Sequence, residues 1–313
     1  MARRRKGQPV NGWLVLDKPQ GLTSTQAMAR ARRFLDAQKA GHGGTLDPLA
    51  TGVLPIAFGE ATKTVDYVMG SAKTYSFTVR WGEARDTDDA EGQVTATSDV
   101  RPGVDAVRAA LPRFLGEIDQ LPPRYSAIKV DGERAYALAR DGVEVDLQPR
   151  VVRIDRFELV DVPDADHAAF EVDCGKGTYV RSLARDLAVA LGTVGHVTAL
   201  RRLAVGRFTV DQAISLDELE EEAQTPAVAR HLLGIETALD DIPALALSPA
   251  EAQRLRQGQA VSLMRRQDAE RLKGLRVDLS AERPTILTLC DGQPVALAVV
   301  EGGEVRPVRV LNL

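Results

Sequence analysis

The spacing of apolar residues along this chain switches between alternation and helical periodicity, and the switches outline its elements. Trp13-Leu14-Val15-Leu16 is a short apolar run ending in a Pro-Gly turn, and it reads as a strand. Thr23 and Ser24 offer an N-cap for a helix over 25–37, with Ala27, Ala31, Phe34 and Leu35 on one apolar face. Val53 to Phe58 is continuously apolar, as a buried strand is, and a short helix is predicted near 61–68. From Lys73 to Arg80 the pattern alternates, placing Tyr75, Phe77 and Val79 on one side. A helix over 104–115 is expected to end at Gly116. Pro122-Pro123 interrupts the chain before a strand over 125–130, and 133–141 reads as helix. Strands over 151–160 and 168–174 are expected to pair. Over 179–191 Ala184, Leu187, Ala188 and Leu191 line one helical face.

The composition shifts between 216 and 245, where an acidic helix gives way to Asp241-Ile242-Pro243-Ala244-Leu245. A helix over 249–256 then precedes strands at 285–290, 294–301 and 304–311. Asp291-Gly292 and Gly302-Gly303, which bound them, are tight-hairpin dipeptides. The expectation is an α/β (α+β) protein of two domains, residues 1–240 and a small β-rich 245–313.

Length and composition narrow the class. The 313 residues are 44% hydrophobic and 27% charged, enough to bury a substantial core. No apolar run is long enough to span a bilayer. The basic start, Met1-Ala2-Arg3-Arg4-Arg5-Lys6, has no apolar core behind it, so no secretion signal is read. Cys174 and Cys290 stand alone, which fits a reducing cytoplasm and no zinc site. His42, His167, His196 and His231 show no ligand spacing. Net charge is −4, but it is unevenly spread. Residues 1–40 carry nine Lys/Arg against two Asp, a net +7, and 251–276 carry seven against three acids, a net +4. Such faces could meet phosphate, although charge runs are more often solvated surface. Asp86, Asp88 and Asp89 lack the glycine and distal glutamate of a calcium loop and read as an acidic loop.

The densest chemical signal is Gly41-His42-Gly43-Gly44-Thr45-Leu46-Asp47-Pro48-Leu49-Ala50-Thr51-Gly52-Val53-Leu54-Pro55. Four glycines and two prolines shape a loop around one carboxylate. On spacing alone Asp47 is either a nucleophile or base on a rigid loop, or a capping Asp in a glycine-rich turn.

This run resembles the catalytic signature of the tRNA pseudouridine synthases of the TruB family, which modify uridine 55 in the T-loop. Four more blocks agree in order: Leu16 to Ser24, Lys73-Thr74-Tyr75, Gly177 to Leu183, and Ala199-Leu200-Arg201-Arg202. Together they span roughly residues 10–215. The resemblance implies the pseudouridine synthase fold, a mixed, largely antiparallel sheet flanked by helices. More weakly, it implies a PUA-like RNA-binding domain at the C-terminus. It also implies a cytoplasmic enzyme that acts on the T-arm of tRNA as a monomer, with no metal, cofactor, guide RNA or obligatory protein partner.

Pseudouridine formation breaks the N1–C1′ bond, turns the uracil and rejoins it through C5. Nothing is added or oxidised, so no cofactor is called for. The stacked base must first be flipped out. By resemblance, Asp47 is the nucleophile. Arg181 is the cation that keeps it ionised, through a two-bond fork. Tyr75 stacks on the base and its hydroxyl is a candidate proton acceptor. Tyr179 lines the pocket, Leu200 touches the uracil, and His42 holds the flipped state. Lys18 either orders the loop or contacts RNA, and Arg201 and Arg202 meet phosphate. Taken without the family, Tyr75 and Leu200 read as core, and Arg181 and Lys18 as ordinary surface cations.

Other readings fit parts of the chain. One is a non-catalytic RNA-folding scaffold on the same fold. Another is a guide-RNA-dependent relative, which turnover on naked tRNA would separate. A third, an Asp-nucleophile hydrolase, has only the lone Asp47 behind it.

Overall fold

The computed structural model describes residues 7–126, 129–130, 133–134, 147–223, 225–264, 268, 271, 275 and 284–313. A mixed, largely antiparallel sheet dominates the chain up to residue 233. Its main path runs Ile214–Ser215, Gly12–Lys18, Thr51–Phe58, Gly195–Val205, Lys73–Trp81, His167–Cys174, Arg150–Asp164, Gly116–Gln120. Thr51–Phe58 is parallel to Gly195–Val205, and Ile214–Ser215 is parallel to Gly12–Lys18. The other pairs on this path are antiparallel.

The sequence pattern explains the layering. Lys73–Trp81 and His167–Cys174 alternate buried and half-buried residues, so each gives one face to the core. That face carries Tyr75, Phe77, Val79, Phe170 and Val172, with the Phe77 and Phe170 rings 5.4 Å apart. The helix Val180–Ala190 covers it with Leu183, Ala184, Leu187 and Ala188. Gly12–Lys18 and Thr51–Phe58 are buried almost throughout because apolar layers lie on both faces: Leu14, Leu16, Leu54 and Ile56 on one, Trp13, Val15, Val53 and Ala57 on the other.

The central Gly195–Val205 strand was not anticipated. It includes the Ala199–Arg202 block, and its two arginines break the alternation expected of a buried strand. Other differences are local. The helix at 104–115 is α-helical over Val104–Ala110 and tightens to 3₁₀ over Leu111–Phe114, where Pro112 lacks an N–H. The element near 61–68 is a 3₁₀ turn over Gly59–Thr64 followed by a helix over Val65–Gly70. Lys129–Val130 pairs antiparallel with Glu133–Arg134, so helix does not begin at 133. The rest of the expected 133–141 helix, and 127–128 of the expected strand, lie outside the described residues.

A second, five-stranded sheet orders Ala244–Ala246, Thr285–Cys290, Gln293–Glu301, Glu304–Val310 and Val261–Ser262. Both hairpin dipeptides turn as their residues require. Asp291 and Gly292 have φ of 50° and 77°, and Gly302 and Gly303 have 59° and 76°. The sheets share apolar contacts, since Leu287, Leu297 and Leu311 pack in one cluster with Trp13, Val15 and Phe208. Lys63 Nζ also donates to Val310 O at 2.7 Å. No helix among the described residues is long and apolar enough to cross a membrane.

Candidate active site

Asp47 lies in a loop held mainly by its own backbone carbonyls. Ser24, buried in the helix Ser24–Phe34, clamps Leu46 twice: Leu46 N–H donates to Ser24 Oγ at 2.7 Å, and Oγ donates to Leu46 O at 3.0 Å. Thr23, not Ser24, is the N-cap of that helix. Gly21 N–H donates to Pro48 O at 2.8 Å, and Ala50 N–H donates to Asp47 O at 3.1 Å. Arg202 reaches in from the central strand. Its Nε donates to Val53 O at 2.7 Å, Nη2 to Gly44 O at 3.0 Å and Nη1 to Thr45 O at 3.3 Å. Gly52 explains the glycine after the loop. Its φ is 96°, and a Cβ there would collide with the carbonyl oxygen of Arg202.

These contacts bear on two expectations. Arg202 is 1% exposed, and its bonds run to backbone carbonyls of the Asp47 loop and the strand behind it and to the Tyr75 hydroxyl, a placement that does not fit a phosphate contact. Lys18 is fully buried, with Nζ donating to Leu22 O at 2.6 Å, Pro19 O at 2.9 Å and Pro48 O at 3.4 Å. Of its two sequence readings, this geometry is that of loop ordering. Burial lowers its pKa to about 8, while the nearby Asp47 and Glu91 carboxylates pull the other way. Arg201 is half exposed but engaged, with Nη1 at 2.9 Å and Nη2 at 2.7 Å from the two oxygens of Asp17.

The Asp47 carboxylate stays accessible, with about 39% of its side chain exposed, and sits 2.9 Å from Arg181 Nη2. The expected two-bond fork is absent. Only Nη2 meets Asp47, because Nη1 donates to Thr87 O at 2.7 Å and Nε faces Asp89 Oδ2 at 3.6 Å. Nη2 also donates to Tyr125 O at 2.9 Å. Arg181 is 4% exposed, and its guanidinium is a fixed hub.

The acidic loop is thus part of the site, which sequence reading missed. Asp89 is buried, and its Oδ1 accepts from Thr87 Oγ1 at 2.6 Å and from Glu91 N–H at 3.1 Å. Burial raises the Glu91 carboxyl, and the Asp89 and Asp47 charges add to it. The signal in the sequence was Asp88-Asp89 itself, since adjacent carboxylates without a metal pattern need arginine partners to be buried.

Of the remaining candidates, Tyr75 and Tyr179 have the Asp47 charge among their neighbours. Tyr75 lies in the core, its hydroxyl bonded to Arg202. Burial raises the phenol's pKa, so it is neutral at ordinary pH. Tyr179 precedes the Arg181 helix, and its backbone is gripped by Gln120, which accepts from Tyr179 N–H at 2.8 Å and donates to Tyr179 O at 3.2 Å. Burial raises its phenol too, with Asp47 and Arg181 among its charged neighbours. Leu200 is buried in the same core as Tyr75. His42 Nδ1 is buried and has no hydrogen-bond partner among the described residues, and burial plus Arg202 keep the ring neutral. In the basic 251–276 segment, Arg271 is taken up by Glu251 and Asp268, each at 3.0 Å. Residues 1–6 lie outside the described residues.

Comparison with known proteins places this geometry. The model for TruB family pseudouridylate synthase (N terminal domain) matches residues 32–180, and that for tRNA pseudouridylate synthase B C-terminal domain matches 181–240. The tRNA pseudouridine synthase B of Rhodospirillum rubrum is 56% identical over 313 residues, covering all of both chains. That of Caulobacter vibrioides is 54% identical over the same span. Among solved structures, the archaeal box H/ACA sRNP Nop10-Cbf5 complex aligns with a TM-score of 0.71 at 22% identity, over 100% of this chain and 93% of that one. At that identity the likeness is one of fold.

Proposed function

The chain belongs to the TruB family of pseudouridylate synthases, and from that premise we propose that it converts uridine 55 in the T-loop of tRNA to pseudouridine, with Asp47 as the nucleophile. The observation that carries this is the Asp47–Arg181 pair: an accessible carboxylate on a pinned loop, 2.9 Å from a buried guanidinium. The buried guanidinium gives that carboxylate a fixed cationic partner.

In this reading the target uridine leaves its stack and its base enters beside Tyr75 and Leu200. Asp47 drives cleavage of the N1–C1′ bond, the uracil turns, and C5 bonds to C1′. The proton lost from C5 is balanced by one gained at N1. The neutral Tyr75 hydroxyl can relay that proton only by accepting one as it donates its own. His42, with an unsatisfied ring nitrogen, packs against the rearranged RNA, and Tyr179 lines the pocket. Lys18 and Arg202 serve the site by holding the loop. Residues 245–313, which hold all but the first residue of the five-stranded sheet, are assigned as a PUA-like RNA-binding domain, and 1–240 as the catalytic domain. We read the enzyme as a cytoplasmic monomer that needs neither cofactor nor guide RNA.

The test is mass-resolved mapping of pseudouridine in a tRNA transcript incubated with the purified chain alone. One new pseudouridine at position 55 is expected, and none with Asp47→Asn. The same variant should bind tRNA within about tenfold of wild type, since phosphate contacts dominate affinity. Modification at a different uridine, or only after a second RNA is added, would refute the T-loop or stand-alone part of the reading. Turnover by Asp47→Asn above a few per cent of wild type would remove Asp47 as the nucleophile.

A further inference from the structure

The helix Val180–Ala190 carries a second arginine one turn after Arg181. Arg185 Nη1 lies 2.8 Å from Asp88 Oδ2, Nη2 donates to Leu121 O at 2.8 Å, and Nε is 2.9 Å from Asp186 Oδ1. Arg181 bridges the same two segments, through Thr87 O and Asp89 on one side and Tyr125 O on the other. Two adjacent aspartates therefore meet two arginines spaced four apart on one helix face.

That arrangement is not what extended chain would give, since consecutive side chains in a strand point to opposite sides. Asp88 instead takes a left-handed backbone, φ 59°. The loop is also docked on the central strand: Val197 N–H donates to Asp88 O at 3.1 Å, and Ala90 N–H to Val197 O at 2.9 Å. Only 13% of the Asp88 side chain is exposed. Burial pushes its carboxyl up, and the Arg185 and Arg181 charges hold it down. Without Arg185 a buried carboxylate would lose its closest partner, and the loop would have reason to move.

We propose that Arg185 and Asp88 form a positioning pair for the reaction, fixing the acidic loop so that Arg181 holds Asp47 in one orientation. The inference rests on the reading of Asp47 as the nucleophile. Arg181 meets Asp47 through Nη2 alone, so the direction of that bond depends on where Thr87 O and Asp89 anchor the rest of the guanidinium. Neither Arg185 nor Asp88 touches the reacting atoms in this scheme.

The experiment measures single-turnover pseudouridine formation at saturating tRNA, tRNA affinity and thermal unfolding. The variants are Asp88→Asn, Arg185→Gln and their double, with Arg185→Gln also made in an Arg181→Lys background. The expected result is a rate loss of about tenfold in each single variant at temperatures where it is folded, as a small misplacement gives. Affinity should stay within about twofold, because neither residue is a phosphate contact. The double variant should lose no more than the worse single, and Arg185→Gln should add nothing once Arg181 is lysine. If Arg185→Gln does not fold, Arg185→Lys replaces it. Lysine keeps the charge beside Asp88 but loses the planar fork that meets Asp88 and Leu121 O through separate nitrogens, so an intermediate rate is expected. Wild-type rates in the single variants, with Asp47→Asn inactive, overturn the positioning pair and leave the nucleophile in place. A full additional loss in the Arg181→Lys background overturns the route through Arg181. Activity in Asp47→Asn overturns the underlying reading instead.

Discussion

Lys73 shows most directly how a single residue couples this fold to pH. It is buried, with Nζ donating to Ser71 O at 2.6 Å and Met69 O at 2.8 Å. Burial, helped by the Arg202 charge, lowers its pKa from the usual 10.5 to about 8. Between those values the unfolded chain holds a proton that the folded chain has released. Stability contributed by this group therefore rises with pH across that window and is lowest below it. Replacing Lys73 with methionine should remove that rise. The stability of wild type minus Lys73→Met, from urea unfolding at pH 7.5, 9 and 10.5, is expected to increase by about 1–3 kcal/mol. A flat difference would mean the ammonium is solvated through fluctuations. Lys18, also lowered to about 8, belongs to the same class. Neither is the solvated cation that lysines usually are.

At the scale of elements, the active-site loop depends on a close approach between two parallel strands. Gly52 pairs with Arg202 and has φ 96°, so Gly52→Ala meets both backbone strain and a collision with the Arg202 carbonyl. A stability loss of about 2–4 kcal/mol is expected. Activity should fall further than unfolding explains, because the strand that carries Arg202 must shift. Thermal melts paired with single-turnover assays would separate the two, and a stable, fully active variant would contradict the argument. The elements also show what was readable. Strands with clean alternation, Lys73–Trp81 and His167–Cys174, and the Val180–Ala190 helix could be placed from periodicity alone. The Gly195–Val205 strand could not, because Arg202 is buried by bonding to carbonyls brought in from more than a hundred residues away. The same holds for the acidic loop. Its carboxylates look solvated in the sequence and find their arginines only after folding. Asp47 was legible through its motif. The single-nitrogen geometry of its arginine was not, because the bonds to Thr87, Asp89 and Tyr125 that use up the guanidinium are all non-local.

For the whole molecule, the two sheets are not independent lobes. Leu287, Leu297 and Leu311 share a core with Trp13, Val15 and Phe208, and Asn312 N–H donates to Glu60 Oε2 at 2.7 Å. Removing residues 244–313 would expose those partners. Each uncovered large apolar side chain costs about 1.5–3 kcal/mol. The truncated chain is therefore expected to melt well below the full chain and to bind tRNA more weakly. Its slope of log affinity against log salt should be shallower if residues in 251–276 contact phosphate. An unchanged melting temperature would show that the shared cluster contributes little.

The anchoring of the Asp47 loop through its own carbonyls has a consequence for the nucleic acid. Side chains there can vary without freeing the loop, and the loop has little slack with which to adapt to a ligand. On the reading of Asp47 as the nucleophile, the work of distortion then falls on the RNA, which must bring its uridine to a carboxylate that does not come to meet it. Transcripts whose target nucleotide is already partly unstacked should accordingly react faster than well-ordered ones in single-turnover assays, with the ranking set by the substrate's own rigidity.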